Sequence, residues 1–163
     1  MVWEKGCLHD TDSGSKSKVS MNVMILSRIK VFLQLIAVAH ILGGIALPFL
    51  VNTSLFATYN ELLYQALGFE SNVRNPNVNF LVGLFGPTIA SWGVLFLYVV
   101  TSGFRNPNKD AWWAIFFSCI AWAPYDSLLS VQQGIYINAL INFISALAIL
   151  IPLFLARKHF FSS

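Results

Sequence analysis

Four long apolar runs, each broken by only a few polar residues, alternate along this chain with short polar stretches, and their length sets the architecture. The runs are Val31–Val51, Asn79–Thr101, Ala111–Val131 and Gly134–Ala156. About twenty residues at about 1.5 Å of rise give about 30 Å of helix, the thickness of a bilayer's hydrocarbon core. The pattern therefore predicts an all-α integral membrane protein, a four-transmembrane-helix bundle. One connection is long, Asn52 to Asn79. Within it, Ser54–Gly68 sets Leu55, Tyr59, Leu62, Leu63, Ala66 and Leu67 on one helical face and Thr58, Glu61 and Gln65 on the other. That is an amphipathic helix lying on the membrane surface or capping the bundle. The first run ends in Pro48, Phe49 and Leu50, with no small-residue cleavage site, so it reads as a retained span and not as a secretory signal.

The ends are polar. Met1–Arg28, with the run DTDSGSKSKVS, lacks apolar periodicity and reads as a disordered tail; Met21 and Met24 stand as alternative translation starts beside Met1. Residues 29–158 form the membrane domain and 159–163 a second short tail. With four crossings, Lys5, Lys16, Lys18, Arg28, Lys30, Arg105, Lys109, Arg157 and Lys158 fall on one side and only Arg74 on the other. The positive-inside rule then puts both termini in the cytoplasm and the amphipathic helix in the first extracytoplasmic loop.

Composition agrees: 56% of residues are hydrophobic and 10% charged, against about 45–50% and about 25% in soluble domains. The formal charge of +3 does not indicate nucleic acid, because the cations flank apolar runs and form no basic face. Cys7 and Cys119 sit in unlike surroundings and suggest no bridge. No metal spacing, phosphate loop or catalytic triad appears, so no metal or cofactor is expected.

Candidate chemistry comes from polar residues inside the greasy runs. Asp126 stands out, because an aspartate at the centre of a spanning helix costs about 2.5–3.5 kcal/mol and such acids face protein or water. On the first run, Gln34 and His40 are polar, and Ala37, His40, Gly43 and Gly44 are read as one small-residue face where a neighbouring backbone approaches closely. The second run carries a similar stripe, Gly83, Gly86, Ala90 and Gly93. Asn138, Asn142 and Ser145 recur at helical spacing on the fourth. Each run has one proline: Pro48, Pro87, Pro124 and Pro152. The first three fall in the outer half, where each frees a backbone carbonyl and bends its helix. Counting rises puts Asp126, Asn138, Asn142 and His40 in a column leading inward from the outer edge, with Trp122, Tyr125 and Tyr136 as walls of a ligand pocket. The structural alternatives are interhelical glue for the amides, a satisfied core histidine and an interfacial acid. Arg-Asn-Pro-Asn occurs at Arg74 and again at Arg105, ahead of two spans; it reads as helix-entry chemistry, with an inverted internal repeat as the alternative.

In length, four spans and short second and third turns, the chain resembles the small four-helix bacterial inner-membrane proteins of the DoxX-like kind. The resemblance implies an inner-membrane location and carries no site residue. The chain differs from sterol-isomerase-like four-span proteins in lacking several intramembrane acids. Two functional classes follow. One is a binding or accessory protein holding a hydrophobic ligand, lipid or partner subunit, a second copy of itself included, between its helices in the outer half. The other is a small membrane enzyme or proton-coupled carrier using Asp126 and His40. One carboxylate and one histidine make a thin catalytic set, which favours the first.

Overall fold

The computed structural model describes the backbone of residues 12–69 and 76–161, and the side chains of these residues from Val23 onward. Helix α1 runs Asp12–Leu50; a 3-10 turn, Ser54–Phe56, leads into α2, Ala57–Ala66; α3 is Pro76–Arg105, α4 Lys109–Gln132, α5 Tyr136–Leu155 and α6 Arg157–Phe161. Four stretches are long and apolar enough to cross a membrane: Val23–Leu50, Pro76–Arg105, Lys109–Gln132 and Tyr136–Leu155. The chain is a multi-pass membrane protein with an all-α four-helix bundle.

Helix α1 reaches back to Asp12, where the sequence suggested disorder through Arg28. From Val19 to Ile29 the chain has no proline or glycine and several good helix formers, so extending an existing helix costs little once the span has nucleated it. The remainder of that tail, with Lys5 and Cys7, lies outside the described residues, as do Arg74 and the side chains of Lys16 and Lys18.

The repeated tetrapeptide starts helices in two ways. Pro76 is the first residue of α3, a position where its missing N–H is no loss. Asn108 caps α4 by accepting from the Ala111 N–H at 2.7 Å. Helix α4 stops just before Gly134, whose φ of 75° suits glycine; the Gly134 and Ile135 N–H groups donate back to Val131 and Ser130. This tight reversal sets the start of α5 against the end of α4.

The bundle is two close pairs, α1 with α3 and α4 with α5, more loosely joined to each other. In the first pair Gly44, Gly86, Ala90 and Gly93 meet as expected. A Cβ added at Gly93 would lie 2.9 Å from the Ile41 nitrogen and 3.0 Å from the Ala37 oxygen, so the helices touch through their backbones. Gly43 does not join them: it faces open space. At about 100° per residue it lies about 120° around the helix from Ala37, while Gly44 returns to within about 20° of it. Gln34 donates to Thr101 at 3.0 Å across the same pair.

The contiguous apolar core occupies only one end of the bundle. Ile29, Leu33 and Ala37 of α1, Phe96 and Val100 of α3, Trp112, Ile115 and Cys119 of α4, Ile149 and Leu153 of α5 and Phe160 of α6 form it, with Trp92 packed at its margin. This is the end that carries Arg28, Arg105, Lys109 and Arg157. Toward the other end the core stops, and glycine contacts within α1–α3 and amides within α4–α5 take over.

Helix α2 sits at that second end, with Tyr59 and Leu63 half-buried. Asn60 and Tyr64 are its buried residues, while Leu55, Leu62 and Leu67 are exposed. The Asn60 amide donates to the Val51 carbonyl at 2.7 Å, one of the acceptors left without a helical partner past the end of α1. The Tyr64 hydroxyl donates to Asn79 Oδ1, and Asn79 donates to Asn52 Oδ1 at 2.9 Å. Hydrogen bonds to the bundle therefore orient α2, and leucines lose nothing by turning toward lipid.

Candidate functional site

Asp126 lies between one and two turns from the end of α4, and Asn138 and Asn142 occupy the first two turns of α5, so the Gly134 reversal brings them face to face. Asn142 Nδ2 donates to Asp126 Oδ2 at 2.7 Å, and Asn138 Nδ2 donates to the same oxygen at 3.3 Å. Asn138 Nδ2 also donates to Ser130 Oγ at 2.7 Å. Asn142 and Ser130 are buried, and Asp126 and Asn138 half-buried. Sequence spacing joined the acid to the two amides; Ser130 was missed, although it stands four residues after Asp126 and so on the same face of α4.

The charge is only half satisfied. Both amides serve Oδ2, while Oδ1 accepts from no described residue. Nor is Oδ1 enclosed, since the sealed and unpartnered side-chain atoms among the described residues are Asn60 Oδ1 and His159 Nε2. Two neutral donors can hold a carboxylate's geometry, but they leave its net charge in place. No described Lys, Arg or His lies within ion-pair distance of it, so Oδ1 offers an acceptor with negative charge to whatever comes beside it.

Tyr59 of α2 lies in reach of that field. Burial, and then the Asp126 charge, push the Tyr59 phenol above its ordinary value of 10.0; both effects disfavour the phenolate. Helix α2 thus presents a neutral hydroxyl near the carboxylate. Nothing in the sequence paired them, because the contact depends on how α2 docks.

The other candidates separate from this cluster. His40 Nδ1 pairs with the Ile36 carbonyl of its own helix at 2.8 Å, and its ring packs against Trp92 with centroids 4.9 Å apart. Trp92 in turn stacks on Phe96 at 5.0 Å and meets Trp122 at 6.2 Å. Two indoles therefore mark the level where the apolar core gives out, with Trp122 on α4 one turn inward of Asp126. No hydrogen bond among the described residues joins His40 to Asp126 or to the amides: its Nδ1 is engaged within its own helix and its ring packs on Trp92. Tyr125 and Tyr136 are 66% and 68% exposed; at about 100° per residue Tyr125 leaves the face that Asp126 shares with Ser130.

Chemically, the arrangement is a set of hydrogen-bonding groups around one carboxylate. It offers one charged acceptor, held by buried amides, near a neutral phenol, at the end of the bundle where apolar packing between the helix pairs has stopped. No group of three His, Cys, Asp or Glu side chains among the described residues could hold a metal ion. No protein-family model, curated protein or solved structure matches this chain.

Proposed function

We propose that this multi-pass membrane protein binds a hydrophobic ligand, lipid or partner segment in the outer half of its bundle, and that Asp126 recognises a hydrogen-bond-donating or cationic group on it. The observation that carries the reading is the half-satisfied carboxylate: Asn138 and Asn142 both serve Oδ2, which aims Oδ1 without using it. Preorganised acceptors of this kind raise affinity because the protein does not have to reorder them on binding. The two helix pairs are less tightly joined to each other than the helices within each pair, and Tyr59 of α2 lies near enough to feel the Asp126 charge. In this reading both termini are cytoplasmic, by the nine-to-one distribution of cations, and the cell membrane is a bacterial inner membrane of the kind that holds the DoxX-like proteins the chain resembles in architecture.

The second reading, a proton-coupled carrier or enzyme using Asp126 and His40, has less support, because no hydrogen bond among the described residues joins His40 to the Asp126 cluster. The test is the content of the purified protein. Full-length chain extracted in mild detergent should carry a lipid, small molecule or partner identifiable by mass spectrometry, and Asp126→Leu should lose it while remaining a monodisperse bundle. Equal content in both proteins would contradict the proposal.

A further inference from the structure

At the end of the bundle opposite Asp126, two cations gather over one aromatic ring. The Arg157 guanidinium lies 5.2 Å from the Phe161 ring centroid and 5.9 Å from that of Trp112, and Lys109 Nζ lies 5.9 Å from Phe161. Arg157 opens α6, Lys109 opens α4 and Phe161 closes α6, so residues from two separate helices converge. Fixed packing holds them there: Trp112 is buried, stacks on Phe116 at 5.2 Å and donates its indole N–H to the Leu153 carbonyl at 3.1 Å. Beside it, Trp113 and Phe117 stack at 5.2 Å and stay partly exposed.

Cation–π contact orients positive charge but does not neutralise it. Asp110 is the acid nearest in sequence, and no described carboxylate forms an ion pair with Lys109 or Arg157. Both cations lie within 5.9 Å of the same ring centroid, and an anion beside that ring would offset their charge. The N-terminus of α4 adds its own partial positive charge at Lys109. The surroundings select the anion. The ring surface of Trp113 and Phe117 continues from the cations along the membrane-facing side of α4, where an acyl chain would lie, and a freely soluble anion has no use for it.

The geometry points to a binding site for the headgroup of an anionic phospholipid at Lys109 and Arg157, with its chain along Trp113 and Phe117. Basic clusters just outside a span attract anionic lipid at about fivefold in affinity per cation. Neither the outer carboxylate nor its ligand enters this inference.

Native mass spectrometry of the full-length protein titrated with phosphatidylglycerol, with phosphatidylcholine and with inorganic phosphate tests it. The wild type should hold phosphatidylglycerol well above phosphatidylcholine. The double variant Lys109→Gln, Arg157→Gln should bind it on the order of 25-fold more weakly, and Arg105→Gln, in the same basic belt but not one of the cations over Phe161, should weaken it by no more than about fivefold. If the double variant does not fold, the exposed Lys109→Gln alone should weaken binding about fivefold, with Arg157→Lys close to wild type. Equal binding of both lipids, loss equal to that of Arg105→Gln, or inorganic phosphate competing away the phosphatidylglycerol at a few equivalents would each overturn the proposal.

Discussion

Gly44 of α1 and Gly86 of α3 meet with no side chain between them. A Cβ built on Gly44 would lie 2.5 Å from the Gly86 carbonyl oxygen, and one built on Gly86 would press as closely on the Gly44 oxygen. The Gly44 carbonyl is the one that Pro48, four residues on, leaves without its helical donor. Close approach of the Gly86 backbone, together with the Pro48 ring 2.8 Å from where a Gly86 Cβ would stand, covers that carbonyl from lipid. Weak Cα–H···O contact of this kind recurs where helices approach through glycine.

Adding one methyl group at this contact should therefore separate the pair. Gly44→Ala meets backbone on α3 and has no flexible side chain to displace, so it should destabilise the bundle by about 1–3 kcal/mol or prevent its assembly. Gly43→Ala, one residue away and facing open space, should be neutral or slightly stabilising. Thermal unfolding of both variants in the same detergent checks this; equal stability would contradict close α1–α3 packing.

Helix α2 should depend on Asn60 more than on its leucines. Asn60→Leu removes the donor to Val51 and leaves a buried carbonyl without its partner, which costs about 1–3 kcal/mol locally. Leu62 is 41% exposed, so Leu62→Asn should cost less. Hydrogen exchange along Ala57–Ala66 should accelerate in the Asn60 variant and change little in the Leu62 variant. The opposite order would mean that α2 docks by its apolar face.

The phenol of Tyr59 reports on Asp126. Its pKa is raised above 10.0, first by burial and then by the carboxylate's charge. The neutral form is favoured in the folded state, so this contribution to α2 docking is fully present below about pH 10 and is lost as the pH rises through the higher folded value. The phenolate absorbance difference between wild type and Tyr59→Phe should titrate above free tyrosine, and Asp126→Asn should move it part of the way back down. A titration insensitive to Asp126→Asn would mean that α2 does not lie over the carboxylate.

Sidedness has its own check. In a chain cleared of Cys7 and Cys119, a cysteine at Glu61 should react with an impermeant external reagent in intact cells, and one at Lys109 only after permeabilisation. Both positions are exposed, so burial does not confuse the result, and the reverse pattern would invert the orientation.

Which parts of this structure a sequence reveals depends on the range of the interaction. Spans are a property of one segment at a time, and Asn138 with Asn142, or Gly86 with Gly93, share a face by local periodicity. Ser130 was equally within reach of that rule. Gly43 was misplaced by treating adjacent glycines as one face, although neighbouring residues on a helix point about 100° apart. The pairing of α1 with α3, the inward turn of Asn60 and Tyr64, and the separation of His40 from Asp126 are relations between elements. For α2 the apolar stripe leaves open which side meets the bundle, because a membrane removes the penalty that would bury leucine in water.

The central claim is that Asp126 serves a ligand and is not merely interhelical glue, and the two roles part on one quantitative comparison. Bound lipid, small molecule or partner per folded chain is measured by mass spectrometry for wild type, Asp126→Leu, Asp126→Asn and the double variant Asp126→Leu, Asn142→Leu, each purified identically in mild detergent. Replacing both members of the Asp126–Asn142 pair with apolar residues removes the unpartnered amide left by the single change, so the double variant should regain stability relative to Asp126→Leu. A ligand site predicts that bound material is lost in Asp126→Leu, reduced in Asp126→Asn and still missing from the restabilised double variant. Bound material that follows stability, returning when the double variant recovers, would contradict the claim.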